Sequence, residues 1–291
     1  MTKVTKAVIP VAGFGTRFLP VTKAIPKEML PIIDKPIVQF IVEELVAAGI
    51  KDIIFVTSGY KKAIEDYFNP HFELEYLLEK NGKEASLEQI RRLSELANFI
   101  SIRQKKMAGN GDAILTAEPV VGDEPFLAYW ADEIFLGQPS RTKQLLAAFN
   151  QYGASILGAL ESEDPADGTK YGFAAGQEVV KGVLRIKGVV EKPGLGKAPS
   201  DFAIFCSLFT PAIFPALRQA KAKIGDTREL VYLDGAAELL KKEPLYALKF
   251  KNMRHLDCGN KLGYLQAIVE FGLKDPELGK DFRKYLHERV A

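Results

Sequence analysis

Cysteine and histidine are scarce in this chain of 291 residues, which has two cysteines, Cys206 and Cys258, and three histidines. Two cysteines build no disulfide framework, and no Cys/His group has the spacing of a zinc site. The sequence also lacks a G-x-S-x-G motif and any Cys-His arrangement that would indicate covalent catalysis. The scarcity of thiols favours a reducing compartment, so we expect a cytoplasmic location.

An excess of charge of one sign and a long apolar run are also missing. Lysine and arginine number 39 against 37 aspartates and glutamates, which argues against nucleic acid or a membrane surface as a partner. The first apolar run is broken by Pro10 and Gly13, so we expect neither a signal peptide nor a membrane span. With 47% hydrophobic residues, the chain is long enough for one large globular domain.

The two common nucleotide-binding motifs are absent as well. A G-x-G-x-x-G motif needs a glycine where the chain has Phe18 and a helix where it has Pro20, and no G-x-x-x-x-G-K-[ST] occurs. A long loop nevertheless follows the first apolar run. It carries two glycines and three cations, Gly13, Gly15, Arg17, Lys23 and Lys27. Backbone N–H groups and cations of this kind bind polyphosphates, so we predict a phosphate-binding loop.

Apolar periodicity predicts strands that alternate with helices. The predicted strands are 6–12, 52–57, 99–103, 126–131 and 154–160, and the predicted helices are 36–48, 61–67, 111–121 and 141–152. A charged, helix-favouring segment, 73–97, is expected outside the sheet. The pattern predicts an α/β class with a Rossmann-like, doubly wound, mixed but mostly parallel sheet. Short β segments after Asp164 suggest a small β-rich elaboration, and helices return after Pro211.

Two aspartates are candidate metal ligands. Asp132 follows a predicted buried strand, and the carboxyl ends of parallel strands face the ligand crevice. Asp257 precedes a glycine and a predicted helix. A Mg²⁺ site uses one or two carboxylates plus substrate phosphates, so the two aspartates can bind one metal together. The alternative is that each aspartate only caps the turn or helix that follows it.

Two further short stretches lie in a β context. Glu191-Lys192-Pro193 ends a predicted strand, where the acid can accept sugar hydroxyls and the lysine can bind a phosphate. Lys170-Tyr171-Gly172 allows close approach of a ligand to the backbone. The alternative for each stretch is an ordinary turn.

In this order, the pieces resemble the sugar-nucleotide pyrophosphorylases, a family of nucleotidyltransferases. The matching segments are AVIPVAGFGTRFLPVTKAIPKEMLPIIDKPIVQFIVEE, LEYLLEK, VVGDEP, KYGF, VEKP and LDCGNKLGYLQA. The resemblance covers nearly the whole chain and implies a nucleotidyltransferase fold. It further implies that UTP and glucose 1-phosphate react, with Mg²⁺, to give UDP-glucose and pyrophosphate. It divides the single domain, 1–291, into a nucleotide-binding core, 1–160, and a sugar-binding and oligomerisation part, 161–291.

The resemblance also implies roles for individual residues. The nucleotide-binding residues would be Ala12, Gly13, Gly15, Glu28, Gln104, Gly109 and Gly111, with Gln104 reading the uracil edge. The sugar phosphate would be bound by Gly172, Glu191 and Lys192. Arg17 would meet the leaving pyrophosphate, Lys27 the nucleotide phosphates, and Asp132 and Asp257 the metal. The family also implies a homodimer or homotetramer.

Some positions depart from the family pattern and leave alternatives open. Where the family usually has G-L-G-H-A, this chain has Gly-Asn-Gly-Asp-Ala at 109–113. A carboxylate at Asp112 would repel nucleotide phosphates unless it is turned away or hydrogen-bonded. The departure admits dTTP or another hexose 1-phosphate as the substrate, or a non-catalytic paralogue that binds sugar nucleotides. Retained metal and phosphate residues favour an enzyme.

Overall fold

Strands and helices alternate along the first half of the chain in the computed structural model, which describes residues 3–290. The strands are β1 (Lys6–Pro10), β2 (Pro31–Ile32), β3 (Lys35–Pro36), β4 (Asp52–Thr57), β5 (Asn98–Arg103), β6 (Phe126–Ala128), β7 (Glu133–Gly137), β8 (Ile156–Glu161), β9 (Gly172–Val180), β10 (Val183–Glu191), β11 (Phe202–Phe209), β12 (Tyr246–Lys249) and β13 (Met253–Asp257). The helices are α1 (Ile37–Ala47), α2 (Lys62–Phe68), α3 (Phe72–Lys80), α4 (Glu84–Glu95), α5 (Asn110–Thr116), α6 (Glu118–Val121), α7 (Arg141–Tyr152), α8 (Ile213–Ile224), α9 (Tyr232–Leu239), α10 (Lys261–Lys274) and α11 (Gly279–Val290).

Nine strands form one mixed sheet in the order β5-β4-β1-β6-β11-β8-β12-β10-β9. Strand β1 runs parallel to β4 and to β6, and β4 runs parallel to β5. Beyond β6, the strand β11 pairs antiparallel with both β6 and β8. The predicted α/β fold with a mixed sheet is confirmed. The sheet is not mostly parallel as expected, because the β-rich elaboration after Asp164 continues it through β9, β10 and β11, which pair antiparallel with their neighbours.

Apolar side chains pack on both faces of the sheet, as expected for a doubly wound fold. On β1, Ala7 and Ile9 belong to one buried cluster with α1, whereas Val8 belongs to a second cluster with α8 and α9. The alternation follows from the two-residue period of a strand. Both faces of the strand are therefore covered, which explains why its sequence is apolar without a polar alternation.

Two predicted helical segments are interrupted in the structure. The predicted helix 111–121 is divided between α5 and α6 at Ala117, and Pro119 lies in the first turn of α6. Proline has no N–H for a helical hydrogen bond, and it is well tolerated only near a helix start. The charged segment 73–97 forms α3 and α4, which are separated at Gly82, a residue with a positive φ of 66°.

Of the two small sheets, β2 and β3 form a local hairpin, whereas the other sheet connects distant parts of the chain. Strands β7 and β13 pair antiparallel, with Asp257 opposite Glu133. This pairing brings the end of β13 beside Asp132, which immediately precedes β7. None of the helices over residues 3–290 has the length and hydropathy that a membrane span requires.

Candidate active site

Two adjoining clefts lie where strands of the main sheet end. The first cleft contains the loop after β1, Gln104 after β5 and Trp130 after β6. The second cleft is lined by Arg17, Lys192, Asp257 and other polar side chains. Asp132 lines both clefts. The two clefts therefore meet at one carboxylate, at the carboxyl ends of central strands where open α/β sheets bind ligands.

The loop after β1 forms one wall of the first cleft. Ala12 is buried, and a Cβ built on Gly13 would have nothing within 4 Å. Gly15 has a positive φ of 66°, and a Cβ there would lie 3.1 Å from the Cβ of Lys27. Thr22 donates a hydrogen bond to the Gly15 carbonyl at 2.8 Å. The loop thus leaves open space at Gly13 and packs closely against Lys27.

Lys27 and Asp132 form an ion pair where the clefts meet. The Lys27 Nζ lies 2.5 Å from Asp132 Oδ2, and each side chain is no more than a quarter exposed. Burial opposes charge on both groups, but the mutual attraction outweighs it, raising the pKa of Lys27 and lowering the pKa of Asp132. Both groups are therefore charged at neutral pH.

Glu28 lies in the wall of the first cleft but is already paired. Its carboxylate accepts a hydrogen bond from Lys61 Nζ at 2.8 Å, and both side chains are almost completely buried. Burial raises the pKa of Glu28, against the attraction of Lys61 and Lys27. Because its carboxylate is held by Lys61, the predicted contact of Glu28 with the nucleoside stays a prediction.

Gln104 is buried at the far end of the first cleft, with its amide nitrogen fully used. Its Nε2 donates to the Gly109 carbonyl at 3.1 Å and to Asp112 Oδ2 at 2.8 Å. Asp112 Oδ1 in turn accepts from Lys221 at 2.6 Å. The Asp112 carboxylate is therefore hydrogen-bonded to protein groups, which is the condition under which it need not repel nucleotide phosphates.

The two glycines of the Gly-Asn-Gly-Asp-Ala segment have different surroundings. Gly109 lines the first cleft at a positive φ of 101°, and a Cβ there would meet the Leu230 carbonyl at 2.3 Å. Gly111 is not part of the cleft wall; a Cβ there would lie 2.7 Å from the Val231 carbonyl carbon. Both glycines thus let the backbone at 230–231 approach closely. Gly111 makes this contact in the first turn of α5, away from the cleft surface.

Asp132 and Asp257 lie close together and fit a divalent cation. A Cβ on Gly259 would lie 2.5 Å from Asp132 Oδ2 and 3.0 Å from Asp257 Oδ1, so both carboxylates approach one point. Over residues 3–290 no group of three His, Cys, Asp or Glu side chains could hold a metal alone. Two carboxylates completed by phosphate oxygens match the ligand set that Mg²⁺ prefers.

The capping alternative is met in part, because the Asp257 carboxylate accepts the Gly259 N–H and so closes the turn before α10, although Asp257 does not cap the helix itself. The residue that caps α10 is Asn260, whose side chain accepts from the Gly263 N–H at 2.9 Å. Asn260 also donates to Asp257 Oδ2 at 2.8 Å, and the Gly259 N–H donates to Asp257 Oδ1 at 2.8 Å. These donors orient the Asp257 carboxylate, whereas the Asp132 carboxylate is bound by Lys27.

Three cations, Arg17, Lys170 and Lys192, lie in the wall of the second cleft beside the two aspartates. The Arg17 guanidinium donates to the Gly259 carbonyl at 3.3 Å. Lys170 is paired with Asp167 at 3.0 Å. Lys192 lies 3.8 Å from Glu191 and is half exposed. The second cleft therefore combines a cationic rim with a carboxylate pair, which suits a phosphorylated ligand bound next to a metal.

Gly172 and Glu191 lie opposite each other on β9 and β10, behind Lys192. A Cβ on Gly172 would lie 2.2 Å from a methyl of Leu233 and 3.1 Å from Glu191 Oε2. Lys192 has a positive φ of 45°, and its N–H donates to the Tyr171 carbonyl at 3.2 Å. A left-handed conformation is unfavourable for lysine, and such strain is typical of functional sites. Gly172 and Glu191 are therefore adjacent to the second cleft, and Lys192 lies in its wall.

The sequence alone assigns no specific role to Glu133 or His255, two residues of the second cleft. Glu133 and His255 line it together with Tyr171. Burial and the neighbouring Asp132 raise the pKa of Glu133 well above its usual range. Burial lowers the pKa of His255 to about 4, so its imidazole is neutral at neutral pH. The pairing of β7 with β13 brings these residues together, and no local pattern encodes it.

The chain is similar over most of its length to known proteins. The Nucleotidyl transferase family matches residues 6–272. A protein of Staphylococcus epidermidis named UTP–glucose-1-phosphate uridylyltransferase is 41% identical over 99% of both chains. A UTP-bound UGPase of Acinetobacter baumannii is 34% identical with a TM-score of 0.89, covering 98% of this chain and 99% of that one. A UDP-glucose pyrophosphorylase complexed with UDP-glucose is 38% identical with a TM-score of 0.83, covering 94% of this chain and 100% of that one.

Proposed function

Since this chain belongs to the nucleotidyl transferase family, we propose that it transfers the uridylyl group of UTP to glucose 1-phosphate, giving UDP-glucose and pyrophosphate. The chain is similar along its whole length to relatives that carry this activity in their names. The resemblance to sugar-nucleotide pyrophosphorylases, inferred from the sequence, is thereby confirmed. The protein is an enzyme of this class rather than a binding module.

One observation supports the proposal most strongly: Asp132 lies between a glycine-rich cleft and a cation-rimmed cleft. A nucleotidyltransferase needs such an arrangement because two anionic substrates must meet at one phosphorus atom. The first cleft would hold UTP, with Gln104 at the base and the loop at Gly13 and Gly15 beside the phosphates. The second cleft would hold glucose 1-phosphate.

The reaction requires no protein nucleophile. A phosphate oxygen of glucose 1-phosphate attacks the α-phosphorus of UTP in line, and the bond from that phosphorus to the bridging oxygen of the leaving pyrophosphate breaks. The attacking phosphate is already ionised, so no general base is needed. The protein must bring two anions together and neutralise the charge that develops between them.

Cations of the chain would supply this neutralisation. We assign Lys192 to the sugar phosphate, with Glu191 and the close backbone approach at Gly172 orienting the sugar. Lys27 would transfer its hydrogen bond from Asp132 to the nucleotide phosphates, and Arg17 would contact the leaving pyrophosphate. In these roles Arg17, Lys27 and Lys192 act by position and charge.

We propose Mg²⁺ as the metal of this site. Bound between Asp132, Asp257 and phosphate oxygens, Mg²⁺ would neutralise charge on the phosphates. The support is the donor set, because two carboxylates that approach one point supply the oxygen ligands that Mg²⁺ prefers. Asn260 and the Gly259 N–H keep the Asp257 carboxylate oriented.

Release of pyrophosphate tests the proposed function directly. The protein is incubated with UTP, glucose 1-phosphate and Mg²⁺, and pyrophosphate and UDP-glucose are measured, with EDTA and with omission of each substrate as controls. The same assay with four nucleotides and several hexose 1-phosphates tests whether dTTP or another sugar serves better. Absence of pyrophosphate under every combination would refute the proposal.

We further propose that the protein is cytoplasmic and forms a homodimer or homotetramer. A cytoplasmic location is supported by Cys206 and Cys258, which are both buried free thiols. A homodimer or homotetramer is supported by apolar side chains on the last two helices and the turn between them, of which Leu265, Leu278 and Tyr285 are each more than half exposed. Sedimentation velocity tests the assembly, and a concentration-independent monomer would contradict it.

A further inference from the structure

Asp112 is the residue at which this chain departs from the usual family pattern, and its contacts give it a specific task. The carboxylate accepts the Gln104 amide with one oxygen and the Lys221 ammonium with the other. Asp112 lies on α5 and Lys221 on α8, and the Asp112 side chain is 11% exposed. The three side chains thus form one chain of hydrogen bonds that ends at the base of the first cleft.

The partners of Gln104 determine which way its amide faces. An amide has a donor nitrogen on one side and an acceptor oxygen on the other. The Gly109 carbonyl can only accept a hydrogen bond, and the Asp112 carboxylate, paired with the Lys221 ammonium, can also only accept. Both positions therefore require the Gln104 nitrogen, so the chemistry of the two acceptors decides which side of the amide carries the nitrogen and which the oxygen.

The Gln104 oxygen is consequently the atom presented to a ligand. Gln104 lines the first cleft, and among the described residues no donor hydrogen-bonds to its Oε1. An oxygen in this position accepts from the N3–H of uracil or thymine. The N3 of cytosine is itself an acceptor, so cytosine would place two lone pairs against each other.

We propose that Asp112, supported by Lys221, is a positioning residue that fixes the Gln104 amide and thereby selects pyrimidines with an N3–H over cytosine. This inference rests on the proposed function, because it requires that the first cleft binds the nucleotide. Asp112 touches no substrate in this role. It acts only through Gln104, and the departure at position 112 becomes part of nucleotide recognition.

The substitution Asp112→Asn tests the proposal with little change in shape. An asparagine whose oxygen accepts from Lys221 offers its nitrogen to Gln104, so one of the two acceptors that hold the amide is lost and only the Gly109 carbonyl still favours the original orientation. The ratio of kcat/KM for UTP to that for CTP should fall by about 10-fold or more, as expected for one lost and one mismatched hydrogen bond. The KM for glucose 1-phosphate should stay within about twofold of the wild-type value, because Asp112 is remote from the second cleft.

Two further variants separate positioning from general damage. Glu118→Gln is a matched control, because Glu118 pairs with Arg218, which lies one turn before Lys221 on α8, and does not contact Gln104. This variant should leave the ratio of kcat/KM for UTP to that for CTP unchanged. Lys221→Met removes an exposed ammonium, so it should fold and lower the ratio by a few-fold in the same direction. In a Gln104→Ala background, Asp112→Asn should have no further effect on the ratio.

Failure of the positioning role and failure of the proposed function would give different results. A wild-type protein that releases no pyrophosphate from any nucleotide refutes that function. An active wild type whose Asp112→Asn variant keeps the UTP to CTP ratio within twofold refutes the positioning role alone. An equal effect of Asp112→Asn with and without Gln104 also refutes it. If Asp112→Asn does not fold, an unchanged ratio in Lys221→Met overturns the proposal.

Discussion

Replacement of Lys192 by alanine should separate binding of the sugar phosphate from binding of the nucleotide. Lys192 lies in the wall of the second cleft, not the first, with its side chain half exposed and 3.8 Å from Glu191. Its backbone is held at a positive φ of 45° by the hydrogen bond to Tyr171. Because alanine in this conformation is strained much as lysine is, the substitution removes the ammonium with little change in backbone energy.

The size of the effect follows from the charge and its exposure. Two unit charges about 4 Å apart attract by about 4 kcal/mol at an effective dielectric constant of about 20. The Lys192 side chain is 52% exposed, so solvent screens part of this attraction. We therefore expect kcat/KM for glucose 1-phosphate to fall by about 10²-fold, the lower end of the 10²–10³-fold range typical of one lost electrostatic contact.

The chain offers a direct assay for the other substrate. Its single tryptophan, Trp130, lies in the first cleft, so intrinsic fluorescence should report UTP binding. Lys192→Ala should bind UTP with nearly wild-type affinity while losing glucose 1-phosphate affinity and turnover. Lys187→Ala is the matched control, because Lys187 is an exposed lysine of β10, the strand that immediately precedes Lys192, and lies outside both clefts.

Two results would refute this reasoning. Unchanged kinetic constants for glucose 1-phosphate would show that Lys192 does not meet the sugar phosphate. An equal loss of UTP affinity would show that its charge serves the nucleotide, or that the substitution disturbs both clefts. Lys192→Arg should retain part of the activity if charge alone matters, and little if the point geometry of an ammonium is required.

Three further predictions concern the metal, the base and the sugar. Asp132→Asn and Asp257→Asn should each depress turnover more than substrate binding and shift the Mg²⁺ dependence to higher concentration. The losses should be non-additive in the double variant. A single variant that keeps wild-type turnover and Mg²⁺ response would show that its residue does not bind the metal. Gln104→Ala should raise the KM for UTP much more than that for glucose 1-phosphate, and equal constants would contradict its role. Gly172→Ala should lower the free energy of unfolding by about 1–3 kcal/mol and raise the KM for glucose 1-phosphate, because its Cβ meets a leucine methyl at 2.2 Å. Gly188→Ala, with nothing within 4 Å, should do neither.

Local patterns in the sequence predicted the regular elements well. The strand predicted at 52–57 and the helix predicted at 141–152 have these bounds in the structure, because each depends on apolar periodicity within one segment. The strand predicted at 126–131 ends at Ala128, before the turn that leads to Asp132. Tyr129 and Ala131 are buried and Trp130 is partly buried in the loop that follows, and periodicity does not distinguish such a loop from a strand.

Non-local contacts account for what the sequence did not reveal. Asp132 and Asp257 were candidate metal ligands, but their proximity depends on the pairing of β7 with β13, more than a hundred residues apart in the chain. The sequence pattern predicts Arg141 only as the first residue of a helix. It is fully buried, paired with Glu44 at 3.0 Å, and its guanidinium carbon lies 4.3 Å from the Tyr129 ring centre. A buried arginine is rare, so composition and pattern do not predict one.

The ion pair between Lys27 and Asp132 connects the two halves of the proposed chemistry. Each group is charged and largely buried, and leaving either one unpaired would be costly. If UTP binds in the first cleft as proposed, its phosphates would offer Lys27 a second anion, and the Asp132 carboxylate would be free to bind a metal together with Asp257. Lys27 and Asp132 would then each exchange one partner of opposite charge for another, so substrate binding would not leave either largely buried charge unpaired.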